Sequence, residues 1–136
     1  MNGLQDKVIL VTGAASGLGY ADAEFLTESG ATVVMTDINE DSGKAVADRL
    51  GSLFLGQNVA DEHRWSEVMS EIRDRFGRLD GLVNNAGIAP IADIETTTTE
   101  VWRQTLAVHL DGTFFGCQTA LRLMKESGGG SIVNMS

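Results

Sequence analysis

Thr12-Gly13-Ala14-Ala15-Ser16-Gly17-Leu18-Gly19 follows directly on the apolar run Val8-Ile9-Leu10-Val11. A strand that breaks into glycines and reopens as a helix leaves backbone N–H groups free at the positive end of a helix dipole, where a pyrophosphate can be held. Gly13 suits a turn that other residues resist, and Gly17 and Gly19 let a ligand and the neighbouring strand approach closely. A second apolar run, Ala31-Thr32-Val33-Val34-Met35-Thr36, ends in Asp37, 18 residues beyond Gly19. A carboxylate there can accept hydrogen bonds from both hydroxyls of an adenosine ribose and repels a 2′-phosphate, and neither Ile38 nor Asn39 supplies a cation to reverse this. Alone, the glycine turn reads equally as an ordinary strand-to-helix connection, and Asp37 as a solvated residue beside Asn39, Glu40 and Asp41. Their spacing favours a dinucleotide site that takes NAD rather than NADP.

The elements that must position these residues alternate between strand and helix. Leu18, Ala21, Phe25 and Leu26 mark the buried side of a first helix that Ser29-Gly30 ends. A short helix from about Ser42 to Leu50 stops at Gly51, and Ser52 to Val59 reads as the third strand. Asp61 can cap the next helix, in which Trp65, Val68, Met69, Ile72 and Phe76 form one apolar stripe closed by Gly77. Leu79 to Val83 is the fourth strand, Ser131 to Met135 the fifth, and a long helix over 100–126 lies between them. This alternation predicts an α/β fold: a doubly wound, Rossmann-like parallel sheet of order 3-2-1-4-5 with helices on both faces. Residues 1–136 are expected to form one dinucleotide-binding domain. Ligands of such sheets bind beyond the carboxyl ends of the strands, and the glycine turn, Asp37, Asn58 and Asn84-Asn85-Ala86-Gly87 all fall on that edge.

Composition narrows the function classes. The 136 residues carry 10 basic and 19 acidic side chains, a formal charge of −9, with no Lys/Arg cluster. Nucleic acid and anionic membrane are therefore not expected partners, and a bound anion must be held by backbone dipoles. The N-terminus runs into the first strand without a signal-peptide pattern, and no apolar stretch is long enough to cross a bilayer, so a cytoplasmic protein is expected. One cysteine, Cys117, allows no internal disulfide, and His63 and His109 have no partners at metal-ligand spacing. No metal is expected.

With these residues in place, the chain resembles a short-chain dehydrogenase/reductase of the compact, single-domain type over essentially its whole length. The resemblance rests on Thr12-Gly13-x-x-x-Gly17-x-Gly19, Asp37, Asn58-Val59, Asn84-Asn85-Ala86-Gly87, Leu110-x-Gly112-Thr113-Phe114 and Gly130-Ser131-Ile132-Val133-Asn134-Met135-Ser136. It implies that Ser16 and Leu18 contact the phosphates, Asp37 the ribose, and Asn58 and Val59 the adenine ring. Asn85, Ala86 and Gly87 would meet the nicotinamide-side ribose, Ile38 and Val108 would complete the cofactor contacts, and Thr12 would tie the glycine turn to the Asn-Asn-Ala-Gly segment. It implies an NAD-dependent oxidoreductase that moves hydride to or from a small alcohol or carbonyl compound.

Two positions depart from the family pattern. Asn58 stands where the family usually has Asp; an amide oxygen still accepts a hydrogen bond from the adenine amine, but more weakly. His109 stands where the family commonly places an Asn that holds a water in a proton relay. Two readings of His109 stay open. A helical wheel sets it with Trp102, Leu106, Thr113, Cys117, Ala120 and Met124, which suggests a buried histidine bonded to local backbone; an imidazole can also donate and accept, and so hold the relay water as a catalytic group. Val101, Val108 and Phe115 recur every seven residues on a second apolar face, which predicts a homodimer or homotetramer formed through the helix over 100–126.

The family's catalytic Ser, Tyr and Lys are not found. The single tyrosine, Tyr20, lies in the first helix with Glu24 at i+4 instead of a lysine, and reads as a packing residue. Ser136 matches the first of the serine pair that follows the family's fifth strand, the second of which is catalytic. The residues are thus expected to be the cofactor-binding, N-terminal part of a longer enzyme, inactive by themselves. The alternative is a non-catalytic dinucleotide-binding or interaction module.

Overall fold

The computed structural model describes residues 2–136. After a 3-10 turn at Asn2–Leu4 come β1 (Val8–Thr12), α1 (Gly17–Glu28), β2 (Thr32–Asp37), α2 (Glu40–Leu50), β3 (Leu53–Gly56), α3 (Glu62–Phe76) and β4 (Gly81–Asn84). A helical run follows as α4 (Thr99–Leu106), a π turn (Ala107–Asp111) and α5 (Gly112–Glu126), and β5 (Ser131–Asn134) comes last. The five strands are all parallel in the order β3-β2-β1-β4-β5, as the alternation of strand and helix predicts.

β1 is the central strand and all five of its residues are buried. A parallel strand covered on both faces needs apolar side chains pointing both ways, which is why Val8 to Val11 reads as an unbroken run. Leu10, Val34, Leu55 and Leu82 pack on one face against Trp65, Val68 and Ile72 of α3 and Ala120, Leu123 and Met124 of α5. Ile9, Val11, Val33 and Met35 pack on the other against Ala23 of α1 and Ala47 of α2. Trp65 is wholly buried and donates its indole N–H to the Val59 carbonyl at 2.8 Å, so burying this large ring leaves no polar atom unmet.

Helix starts follow local chemistry. Asn39 caps α2 by accepting the Ser42 N–H at 3.2 Å, and Asp61 caps α3 by accepting that of Arg64 at 3.2 Å. The Asn39 cap brings α2 forward to Glu40 from the expected Ser42. β3 is shorter than the expected Ser52–Val59 because its partner strand ends: Asp37 pairs with Gly56, Gln57 donates its N–H to the Asp37 carbonyl, and the chain then turns at Asn58. At the opposite edge of the sheet, the Asp80 carboxylate accepts the Val8 N–H at 2.9 Å and the Arg78 Nε–H at 2.8 Å, which delays β4 to Gly81.

The long helix occupies its expected place but not its expected phase. A π turn fits an extra residue into the helix and rotates everything that follows relative to a uniform 3.6-residue wheel. Ala120 and Met124 are buried, whereas Trp102 and Leu106 are exposed. Val108 and Phe115, expected on an outward face, pack partly against the core. The outward apolar residues are instead Trp102, Leu106, Leu110, Phe114 and Leu121.

Candidate cofactor cleft

A cleft of about 320 Å³ opens at the carboxyl ends of β1 to β4. Gly13, Ser16, Asp37, Ile38, Asn58, Val59, Asn85, Ala86, Gly87 and Val108 line it, together with Gln57 and Ile88. Ten of the expected cofactor residues therefore converge on one wall system. Gly17, Leu18 and Gly19 stand at its end, in the first turn of α1.

The glycine turn is built for close approach. Gly13 has φ +63°, and a Cβ there would lie 2.8 Å from the Ala86 Cα. A Cβ on Gly19 would run into the Gly13 carbonyl oxygen. Gly17 also has positive φ, but the space beside it is open. α1 differs from α2 and α3 at its N-terminus: Ser16 makes no side-chain cap bond and the first turn holds no acid, whereas Glu40, Asp41 and Glu62 occupy the first turns of the other two. Free N–H groups, an uncompensated dipole and open space beside Gly17 fit a phosphate group.

Asp37, half-buried at the tip of β2, reaches across to this turn. One carboxylate oxygen accepts the Ala15 N–H at 3.0 Å and the other the Asn39 N–H at 2.9 Å. Each oxygen keeps a further lone-pair direction, which fits a pair of ribose hydroxyls. Among the described residues no Lys or Arg lines the cleft.

Thr12 joins the two halves of the site. Its hydroxyl oxygen accepts the N–H groups of Asn85 at 3.1 Å and Ala86 at 3.0 Å, and its own O–H donates to the Val83 carbonyl at 3.4 Å. The Asn85 side-chain amide donates to the carbonyls of Thr12 and Gly13 at 3.1 and 3.2 Å. The tie expected of Thr12 is present, and the Asn85 amide hydrogens are spent on it. Asn84 donates to the Asn134 amide oxygen at 2.9 Å, with the Cys117 sulfur 3.7 Å from the same nitrogen. Asn58 is exposed and its amide oxygen accepts the Ala60 N–H at 3.0 Å.

His109 sits outside the cleft, in the π turn, and is exposed rather than buried with Trp102 and Leu106. Its Nε2 lies 2.6 Å from the Ile88 carbonyl oxygen and 3.1 Å from the Ile88 nitrogen. A Cβ on Gly87 would stand 2.6 Å from its Cε1. The imidazole thus braces the chain immediately after the Asn-Asn-Ala-Gly segment. The added residue of the π turn carries it to that distant backbone, away from the face a regular wheel assigns it.

Tyr20 donates its hydroxyl to Glu24 at 2.6 Å, and the Arg49 guanidinium lies 5.7 Å from its ring centre. The Glu24 hydrogen bond holds the phenol above its ordinary range, the wrong direction for a base at neutral pH. Gln57 and Ile88 are cleft residues that the sequence reading overlooked. For Gln57 a signal existed: Leu53 and Leu55 alternate along β3, and the next position in that alternation, just past the strand, is a polar residue where an apolar one is called for.

A family model described as short chain dehydrogenase matches residues 7–136. The chain is 44% identical to a 3-beta-hydroxysteroid dehydrogenase of Comamonas testosteroni, covering 99% of this chain and 54% of that protein. It is 41% identical to an NADP-dependent (R)-specific alcohol dehydrogenase of Lentilactobacillus kefiri, over 98% of this chain and 55% of the relative. An NAD-dependent glycerol dehydrogenase of Listeria innocua is 40% identical over 98% of this chain and 53% of its own length. The chain spans about half the length of these curated relatives.

Proposed function

The chain belongs to the short chain dehydrogenase family, and we propose that it forms the cofactor-binding part of an NAD-dependent oxidoreductase acting on a secondary alcohol or ketone. The observation that carries this reading is the single cleft that joins an uncapped α1 N-terminus to the Asp37 carboxylate. In this reading the N–H groups of the α1 first turn bind the pyrophosphate beside Ser16 and Leu18, and Asp37 accepts the ribose hydroxyls. The adenine lies among Ile38, Asn58, Val59 and Val108, and Asn85, Ala86 and Gly87 face the second ribose. A nicotinamide cofactor supplies the hydride acceptor or donor. What these residues contribute is its orientation and the exclusion of water from its apolar face.

The preference for NAD follows from charge. A 2′-phosphate would meet the Asp37 carboxylate with no lining cation to offset the repulsion. Relatives of both kinds exist, an NADP-dependent alcohol dehydrogenase and an NAD-dependent glycerol dehydrogenase. Asp37 and Ile38 are what favour NAD in this chain.

His109 positions the wall of the cleft through Ile88. Its Nδ1, which meets no protein partner among the described residues, can hold a relay water. Residues 1–136 alone bind a dinucleotide without turnover, because Tyr20 has Glu24 and Arg49 as its polar neighbours and no adjacent lysine. The protein works as a homodimer or homotetramer through the outward face of α4 and α5. The same reading puts it in the cytoplasm, a setting that suits its lone thiol, Cys117.

Absorbance at the reduced nicotinamide band, with full-length protein, NAD and a series of secondary alcohols, tests the assignment. NAD-dependent reduction that requires the alcohol supports it. Dinucleotide binding without turnover on any alcohol or ketone would favour a non-catalytic module.

A further inference from the structure

Gln57 is only 5% exposed, yet neither its amide oxygen nor its amide nitrogen has a hydrogen-bond partner among the described residues. An interior carboxamide with both groups unmet is rare and calls for an explanation. The residue belongs to the wall shared by the cofactor cleft and an adjoining hollow of about 350 Å³ bounded by Glu40, Asp61 and Arg64. It lies just past the end of β3, two residues after Leu55, at the edge of the core cluster where Val59, Ala86 and Val108 give the cleft its apolar side. Packing alone would be served better by a leucine.

We infer that Gln57 reads the edge of the purine held in the cleft. This rests on the dinucleotide reading above and adds a residue to it. A carboxamide offers one acceptor and two donors, so its oxygen can take a hydrogen from the exocyclic amine of adenine while its nitrogen donates to an adjacent ring nitrogen. The neighbouring Asn58 is held in one orientation by the Ala60 N–H that its amide oxygen accepts at 3.0 Å, whereas the Gln57 amide has no such tether among the described residues. Rotation about the side-chain bonds of Gln57 turns the amide from the wall into the cleft and leaves the backbone in place, with its N–H still donated to the Asp37 carbonyl at 3.0 Å.

Calorimetric titration of purified full-length protein with NAD and with the analogue that carries unsubstituted purine in place of adenine tests this. That analogue lacks the exocyclic amine and so has nothing to donate to the carboxamide oxygen, whereas a hypoxanthine ring would not discriminate, because a flipped amide matches its inverted pattern. The wild type should prefer NAD. Gln57→Met should weaken NAD binding about tenfold, the scale of a lost buried hydrogen-bonding pair, and should cut the preference for NAD over the analogue severalfold. Its melting temperature without ligand should not fall, since the change removes an unmet amide. Gln57→Leu carries the same expectation should the methionine variant fold poorly. An unchanged preference in the variants overturns the inference; with a lowered melting temperature it assigns the amide to an internal water shared with the unpartnered Thr36 hydroxyl. A wild type that binds neither dinucleotide overturns the cofactor reading itself.

Discussion

The imidazole of His109 stands 2.6 Å through Nε2 from the carbonyl oxygen of Ile88, a contact that spans 21 residues of chain and fastens the π turn to the segment leaving β4. Removing it frees the backbone that follows Gly87. His109→Ala should weaken NAD binding by about 1 kcal/mol, roughly fivefold, the usual worth of one such bond. His109→Asn should recover most of the loss, because an amide also donates to a carbonyl. Titration of the two variants checks this. A His109→Asn enzyme that turns over faster with an unmoved pH profile would remove the relay role and leave the positioning role intact.

Gly13 and Gly17 both have positive φ, but only Gly13 is crowded. Gly13→Ala adds a Cβ 2.8 Å from the Ala86 Cα to the conformational penalty, and should cost about 2–4 kcal/mol of stability as well as dinucleotide binding. Gly17→Ala should cost about 1–2 kcal/mol, the backbone penalty alone, while the methyl fills the space beside the phosphates and abolishes binding. Denaturant midpoints and titrations of the two proteins separate the effects.

Asp80 ties the start of β4 to β1 through the Val8 N–H, and its side chain is only 10% exposed. The Arg78 hydrogen bond holds its carboxyl below the usual range, with the Val8 N–H pulling the same way. A depressed native value stabilises the fold above the unfolded value of about 3.9, and that contribution is lost as pH falls below it and through the native value. Asp80→Ala should cost about 1–3 kcal/mol at neutral pH by leaving the Val8 N–H without its partner. Its acid unfolding curve should be flatter than that of the wild type below pH ~4.

The helical run of α4, the π turn and α5 exposes Trp102, Leu110 and Phe114 by 57%, 64% and 58%. Large apolar groups at this density mark a contact surface. Full-length protein should sediment as a dimer or tetramer, and Leu110→Glu should shift it towards monomer with little loss of monomer stability. A compact wild-type monomer would contradict the oligomer.

Most of the fold was legible because parallel strands buried on both faces are plain apolar runs, and Val8–Val11 and Thr32–Thr36 have no competing reading. The glycine turn and Asp37 were legible because their chemistry lies in spacing along the chain. The facing of α1 and of the long helix was not: Leu18, Ala21 and Phe25, expected on the buried side of α1, are exposed, and the small Gly19 and Ala23 take that side. A π turn has no composition signal, so the wheel buried Trp102, Leu106 and His109, which are exposed, and turned the core-packing Val108 and Phe115 outward. The end of β3 was missed for a different reason: it is decided by where Asp37 of the partner strand stops pairing, a contact absent from the local sequence. Gln57 interrupts the apolar alternation of Leu53 and Leu55, but a polar residue at a strand end also reads as an ordinary exit into a loop, and its unmet amide shows only once the neighbouring walls are in place.

The NAD-selective site proposed at Asp37 and the α1 N-terminus sets affinities for both dinucleotides. Calorimetric titration of full-length wild type and Asp37→Ala with NAD and NADP tests it most directly. The wild type should bind NAD well and NADP poorly. Asp37→Ala should weaken NAD by about 1.5–3 kcal/mol, the range for hydrogen bonds to a charged group, while NADP binding holds or improves. Equal affinity of the wild type for both dinucleotides, or a variant whose NAD affinity is unchanged, would rule out Asp37 as the selective group.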